Sequence, residues 1–263
     1  MRLRLVKASQ GLVWVRQGLM ALRQQPMGYL GLLGLLGMGA VLLMALPARL
    51  GTLAVVGLMP SAWMVFMLAT RRVMTQQRVS PGVVVELARS APTIRRDLLL
   101  LGLAYIVATL CVVELAGLIG PDADQIDQIT SSSEDMTEVL ANPAVQQDML
   151  LRLLLTLPVS LIFWHAPALI VWGHVPVAKA LFFSAVASWR NLGAFALYGL
   201  GWSGLMIALG VADRVLMAVV PVPALIEGVA MVTGMALASA FYASLYFTVV
   251  DCFEPPQQDS PAA

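Results

Sequence analysis

Charge is scarce in this sequence. Charged residues make up 12% of the 263-residue chain, about half of the roughly 25% usual in a soluble domain. Lysine is nearly absent, with Lys7 and Lys179 the only two. Cysteine occurs twice, Cys111 inside an apolar run and Cys252 just past the last one. Their different depths argue against a disulfide, and with no CxxC spacing neither a redox nor a metal role is assigned. The only histidines are His165 and His174. There is no HExxH, no glycine–lysine phosphate loop and no GxGxxG before a helix, so the standard motifs of metalloproteases, nucleotide hydrolases and dinucleotide enzymes are missing. A net charge of +1 provides no basic field for nucleic acid. No catalytic residue, metal site or cofactor is expected from these motifs.

What the sequence has in abundance is apolar surface: 59% hydrophobic residues and a mean hydropathy of +0.83. A soluble fold of this length cannot hide that much, whereas a bilayer accepts it. Six apolar runs stand out, at 27–46, 52–70, 98–119, 149–172, 192–211 and 225–250. Each is long enough to cross a hydrocarbon core of about 30 Å at about 1.5 Å per residue. The expected fold is all-α: a polytopic membrane helical bundle of six transmembrane helices plus short interfacial amphipathic helices. Residues 26–250 form the transmembrane domain. The first run is too long for the apolar region of a signal peptide and is expected to remain as a span.

Residues 1–25 carry Arg2, Arg4, Lys7, Arg16 and Arg23 and no acid, with Leu12, Val13, Val15, Leu19 and Leu22 between them. The pattern predicts an amphipathic helix on an anionic membrane surface, its partners lipid headgroups at the cytoplasmic face. Glycines 28, 31, 34 and 37, with Gly39, predict a smooth face for close helix approach, to another copy of the chain or another membrane protein. In the basic segment 73–97, Pro81 and Pro92 each start a helix. The 121–148 loop is acidic and lacks Lys and Arg; Ser131-x-x-Glu134 predicts a helix cap there, and Asn142-Pro143 the start of the fourth span. Pro158 and Pro167 interrupt that span. Segment 174–190 is too short to cross and reads as interfacial or re-entrant. Asp213-Arg214 reads as part of a turn, and the Pro-rich tail 251–263 as disordered. Segments 81–95 and 176–190 share a proline-to-arginine spacing, a faint internal repeat. Thirteen of the sixteen basic residues fall on one side of a six-span topology. That side is predicted cytoplasmic, with both termini on it and the acidic loop periplasmic.

The stretch from Phe163-Trp164-His165-Ala166-Pro167 through Trp172-Gly173-His174-Val175-Pro176, then Lys179, Phe182-Phe183-Ser184 and Ser188-Trp189-Arg190-Asn191, carries a resemblance. With Trp14-x-x-Gln17-Gly18 and Gln25-Pro26 it resembles an uncharacterised family of bacterial multi-pass inner-membrane proteins. It is more distantly similar to the membrane domain of glycerophosphodiester phosphodiesterases. The resemblance implies an inner-membrane helical bundle and carries over no catalytic residue.

Three charges inside the spans are the main physical lead. Glu114, Arg152 and Glu227 fall in the outer quarter of three different spans. An unpaired charge at a helix centre costs roughly 2.5–3.5 kcal/mol, less toward the interface, so at least one glutamate is expected to face Arg152. Such a cluster is either a structural ion pair, with snorkelling side chains, or an outward-open site for an ion, proton or polar substrate. His165, in the inner half of the fourth span, either satisfies carbonyls freed by Pro167 or relays protons. Gly201-Trp202-Ser203-Gly204 matches the GxSG string of rhomboid-type proteases. No histidine follows it, however, and small residues serve helix packing. Trp202 is expected to be buried and the other tryptophans interfacial. The favoured function is a non-enzymatic scaffold, assembly or accessory component. The alternative is a small transporter or lipid-handling protein that uses the outer charge cluster.

Overall fold

The computed structural model describes residues 2–132, 136–219 and 222–254. Apolar runs become helices because a helix satisfies its own backbone where lipid offers no partner. In chain order these are α1 (Gln10–Gln24), α2 (Pro26–Met44), α3 (Ala48–Met74), α4 (Gly82–Ala88), α5 (Pro92–Ile119), α6 (Ala123–Ser132) and α7 (Met136–Ala141). There follow α8 (Pro143–Phe163), α9 (Ala166–Gly173), α10 (Val177–Arg190), α11 (Leu192–Val219) and α12 (Pro223–Cys252). Two-residue strands β1 (Arg2–Leu3) and β2 (Phe253–Glu254) pair antiparallel. Six runs are long and apolar enough to cross a membrane, α8 with α9 forming one of them (Pro143–Gly173). The 14-residue α10 is not among them, so the all-α six-span bundle stands as read.

The helices outrun the apolar runs, because a helix continues past the membrane edge once water can solvate its charges. Asp213 and Arg214 therefore lie inside α11 and not in a turn. Pro60 and Pro158 are accommodated within α3 and α8. Pro167 does coincide with a break: α8 ends at Phe163 and α9 starts at Ala166, as expected where the ring removes an N–H and crowds the carbonyl four residues back. Asn142 caps α8 by accepting from the Ala144 N–H at 2.9 Å. Ser131 does not cap a helix start. It lies in the last turn of α6 and donates to the Asp127 carbonyl at 2.7 Å, while Glu134 lies outside the described residues. The order long helix, short proline-capped helix, long helix does recur, as α3–α4–α5 and as α8/α9–α10–α11, but the short helices differ in length, 7 residues in α4 against 14 in α10, and Arg95 already belongs to α5.

The N-terminal segment differs most from its reading. A helix forms only from Gln10, and its apolar face packs against α11 and α12. Trp14, expected at an interface, is fully buried with Val15 and Ala21. Gly11 and Gly18, seven residues and two turns apart, make the two crossings. A Cβ at Gly11 would collide with the Ala194 carbonyl of α11, and one at Gly18 would come within 2.5 Å of the Ala240 carbonyl of α12. Arg16 and Arg23 of α1 remain exposed, as do Arg4 and Lys7 in the segment before it. Nor is the tail disordered from 251 onward. Asp251 and Cys252 complete α12, and β2 registers Arg2 with Glu254 and Leu3 with Phe253. Residues 255–263 lie outside the described residues.

Candidate functional site

Buried polar groups gather at the end of the bundle that carries the chain termini. Asn191, between α10 and α11, holds both ends of the chain. Its Oδ1 accepts from the Val6 N–H at 2.9 Å, and its Nδ2 donates to the Arg4 carbonyl at 3.1 Å and the Ala187 carbonyl at 3.0 Å. Cys252 Sγ lies 3.6 Å from Nδ2. Beside it, Asp251 Oδ2 accepts from Gln10 Nε2 and Trp14 Nε1, each at 2.7 Å. A carboxylate there also complements the positive end of α1, which has no acid in its own first turn.

The α8–α9 break is mended by serines of α10. In a continuous helix the His165 N–H would bond to the Leu161 carbonyl. Instead it donates to Ser184 Oγ at 2.9 Å, and Ser184 Oγ lies 3.4 Å from the Leu161 carbonyl, to which Ser188 Oγ donates at 3.0 Å. A hydroxyl has one donor and two acceptor positions, so Ser184 splices into the ladder. Ala180, Ser184, Ala187 and Ser188 are the buried residues of α10, at the spacing of one helix face. The sequence reading gave this repair to the His165 ring. The ring instead sits fully buried, edge-on to Phe195 and Phe253 at centroid distances of 5.6 and 5.3 Å. Neither ring nitrogen has a hydrogen-bond partner of normal geometry, although the backbone of Thr248 and Ser184 lies beside them.

Three further polar pairs join helices in this half. Trp164 Nε1 donates to Thr248 Oγ1 at 3.1 Å, Tyr29 OH to Thr70 Oγ1 at 2.9 Å, and Tyr198 OH meets Ser244 Oγ at 2.6 Å. Ser244 gives its own proton to the Phe241 carbonyl, so Tyr198 is the donor. Trp202 is buried as expected, against Phe241 and Tyr198, while Ser203 beside it is exposed. Among the described residues, no three His, Cys, Asp or Glu side chains group as metal ligands. Both cysteines are free.

The three-charge cluster does not assemble. Arg152 Nε donates to both carboxylate oxygens of Asp148, at 2.9 and 2.7 Å, one turn earlier on the same helix. Glu114 and Glu227 are exposed on α5 and α12, and among the described residues neither forms an ion pair with Arg152. Asp148 was grouped with the acidic segment 121–148, before the apolar run from 149, although Asn142-Pro143 already marked the helix start. With α8 starting at Pro143, Asp148 and Arg152 stand at i and i+4 on one face. The glycines of α2 also fail to share one face, since each three-residue step falls about 60° short of a full turn and Gly28 and Gly37 end about 180° apart. Gly28 packs on Val79, whereas Gly31, Gly34, Gly37 and Gly39 meet nothing within 4 Å.

The other feature of the molecule is a groove of about 900 Å³, lined by α2 and α3 with α4, the start of α5 and Tyr242. Among the described residues, Arg95 is the one charged residue in its lining.

A probable inner membrane protein of Burkholderia thailandensis is similar to this chain, 32% identical over 260 residues that cover 97% of the chain and 95% of that protein. No family model and no solved structure matches. Identity at that level over nearly the whole length, on a bundle of six membrane-length helices, places the chain in one family with that relative: it belongs to a family of multi-pass helical proteins of the bacterial inner membrane.

Proposed function

We propose that the protein is a non-enzymatic component of the inner membrane, an accessory, assembly or scaffold subunit with both termini in the cytoplasm. One observation carries this reading: at the terminus-bearing end a set of polar side chains is engaged in holding separate parts of the chain together, the unpartnered ring of His165 standing apart from it. Asn191, Asp251, Ser184, Ser188 and Thr248 each bond to another part of the fold. Along α2 an apolar face is uncovered, with Gly31 and Gly34 on it, and small residues are where membrane helices approach one another. Another membrane helix, from a second copy or a different protein, fits that surface. The distant likeness to the membrane domain of glycerophosphodiester phosphodiesterases belongs to the same reading. A lipid-handling role is the alternative, and the lateral groove is the observation that favours it.

The orientation follows from the basic residues, which cluster on the terminus-bearing side. Reporter fusions at residues 85, 183 and 260 are expected to read cytoplasmic and a fusion at 135 periplasmic. A periplasmic signal at 260 overturns the topology. For the scaffold role, native gels in mild detergent are expected to show a discrete assembly larger than the monomer. Gly34→Leu is expected to release the monomer without unfolding it. A wild type that runs only as a monomer contradicts the role.

A further inference from the structure

The groove has the form of a lipid site. Its long walls are Leu33 to Leu43 of α2 and Val55 to Phe66 of α3. Ten residues of helix rise about 15 Å, close to half of a hydrocarbon core of about 30 Å, which is the depth of one leaflet. Its volume of about 900 Å³ is at the upper end of the roughly 300–1,000 Å³ of ligand sites.

The polar end is equally specific. Arg95 lies in the first turn of α5, where no acidic side chain sits. The neighbouring arginines are engaged: Arg96 pairs with Asp97 at 3.0 Å and Arg72 with Glu86 at 2.6 Å. Arg95 is exposed and, among the described residues, has no carboxylate partner. A guanidinium at the end of an apolar channel is matched by a molecule with a hydrocarbon chain and a phosphate, since its planar fork accommodates phosphate oxygens in pairs. We infer that the groove between α2 and α3 holds one anionic phospholipid, an acyl chain lying along Gly37, Gly39 and Ala40 and the phosphate on Arg95. Gly39 leaves the channel open, because a Cβ there would meet nothing within 4 Å. A larger side chain at that position would fill the channel without displacing any helix.

The test uses the full chain in nanodiscs of equal phosphatidylglycerol and phosphatidylethanolamine, released into mild detergent and weighed by native mass spectrometry. Wild type is expected to carry one phospholipid, with phosphatidylglycerol in excess. Arg95→Gln is expected to lower the phosphatidylglycerol-to-phosphatidylethanolamine ratio about fivefold, the factor matching roughly 1 kcal/mol for one basic group near an anionic headgroup. Gly39→Leu is expected to carry no lipid. Arg16→Gln, which removes the same charge from α1, is expected to leave the ratio unchanged. The inference is overturned if wild type carries no lipid or binds both equally. It is also overturned if Gly39→Leu retains the lipid, or if Arg16→Gln matches Arg95→Gln. Should Gly39→Leu fail to give a monodisperse protein, the two arginine variants decide, because both change exposed side chains.

Discussion

The two halves of the bundle are built differently, and the contrast runs along almost every long helix. In α3, Met64 to Ala69 are buried and Leu50 and Leu58 exposed; in α5, Leu98 and Leu101 are buried and Leu118 is 78% exposed, with Val112 and Ala116 the buried exceptions toward its far end. In α11, Ala194, Phe195, Tyr198 and Trp202 are buried, and Ile207 to Val219 face outward. In α12 the buried set between Ser239 and Cys252 contrasts with Leu225 to Val232, which are exposed apart from buried Ile226 and half-buried Ala230. The hydrogen bonds between helices follow the same division. Lipid is as apolar as leucine, so burying apolar surface against another helix gains little by itself in a bilayer. Close packing and satisfied polar groups must hold a membrane bundle together, and here they concentrate at the end that carries the termini. The other end is left to lipid or to a partner.

That contrast ranks the effects of mutation. The largest is expected for Gly18→Leu, which forces a side chain between α1 and the backbone of α12: a loss of about 3 kcal/mol, measured by unfolding in mixed micelles and accompanied by proteolysis near residue 8. Asn191→Ala comes next. It leaves the Val6 N–H unpaired and removes the donor to the Arg4 carbonyl, a loss of about 2 kcal/mol, readable as faster amide exchange at residues 3–6. On the open side, Arg152→Ala breaks a pair that is partly exposed, with side-chain exposures of 39% and 11%, and is expected to cost less than about 1 kcal/mol. Glu114→Gln and Glu227→Gln are expected to change stability least and to give no rescue of Arg152→Ala, because neither carboxylate meets that arginine. A rescue would restore the three-charge cluster and erase the contrast.

The six spans were legible because lipid imposes length and hydropathy on any helix that crosses it. The Asn142-Pro143 start and the break before Pro167 were legible because proline chemistry is local. The burial of α1 was not, since an amphipathic pattern looks the same against a membrane surface and against two helices. The signal that separates them is Gly11 with Gly18, two small residues two turns apart on the apolar face. Asp148 was hidden because it was grouped with the acidic segment 121–148 and not with the helix that Asn142-Pro143 starts. Ser184, Ser188 and Asn191 were hidden for a different reason: they act on backbone groups far away in sequence, and nothing local marks a serine as the repair of a broken helix. All three lie within the stretch 163–191 that carried the family resemblance, so the conspicuous part of the sequence is also where the chain departs from simple helical hairpins.

Two insertions on one helix test the contrast most directly. Ala243 of α12 is fully buried, whereas a Cβ at Gly228 of the same helix would meet nothing within 4 Å. The measurement is the unfolding free energy of Ala243→Leu and Gly228→Leu in the same micelles. Ala243→Leu is expected to lose about 2 kcal/mol through overpacking, and Gly228→Leu to lose nothing or to gain up to about 1 kcal/mol from better helix propensity. Equal losses at the two positions would contradict a bundle closed at one end and open at the other.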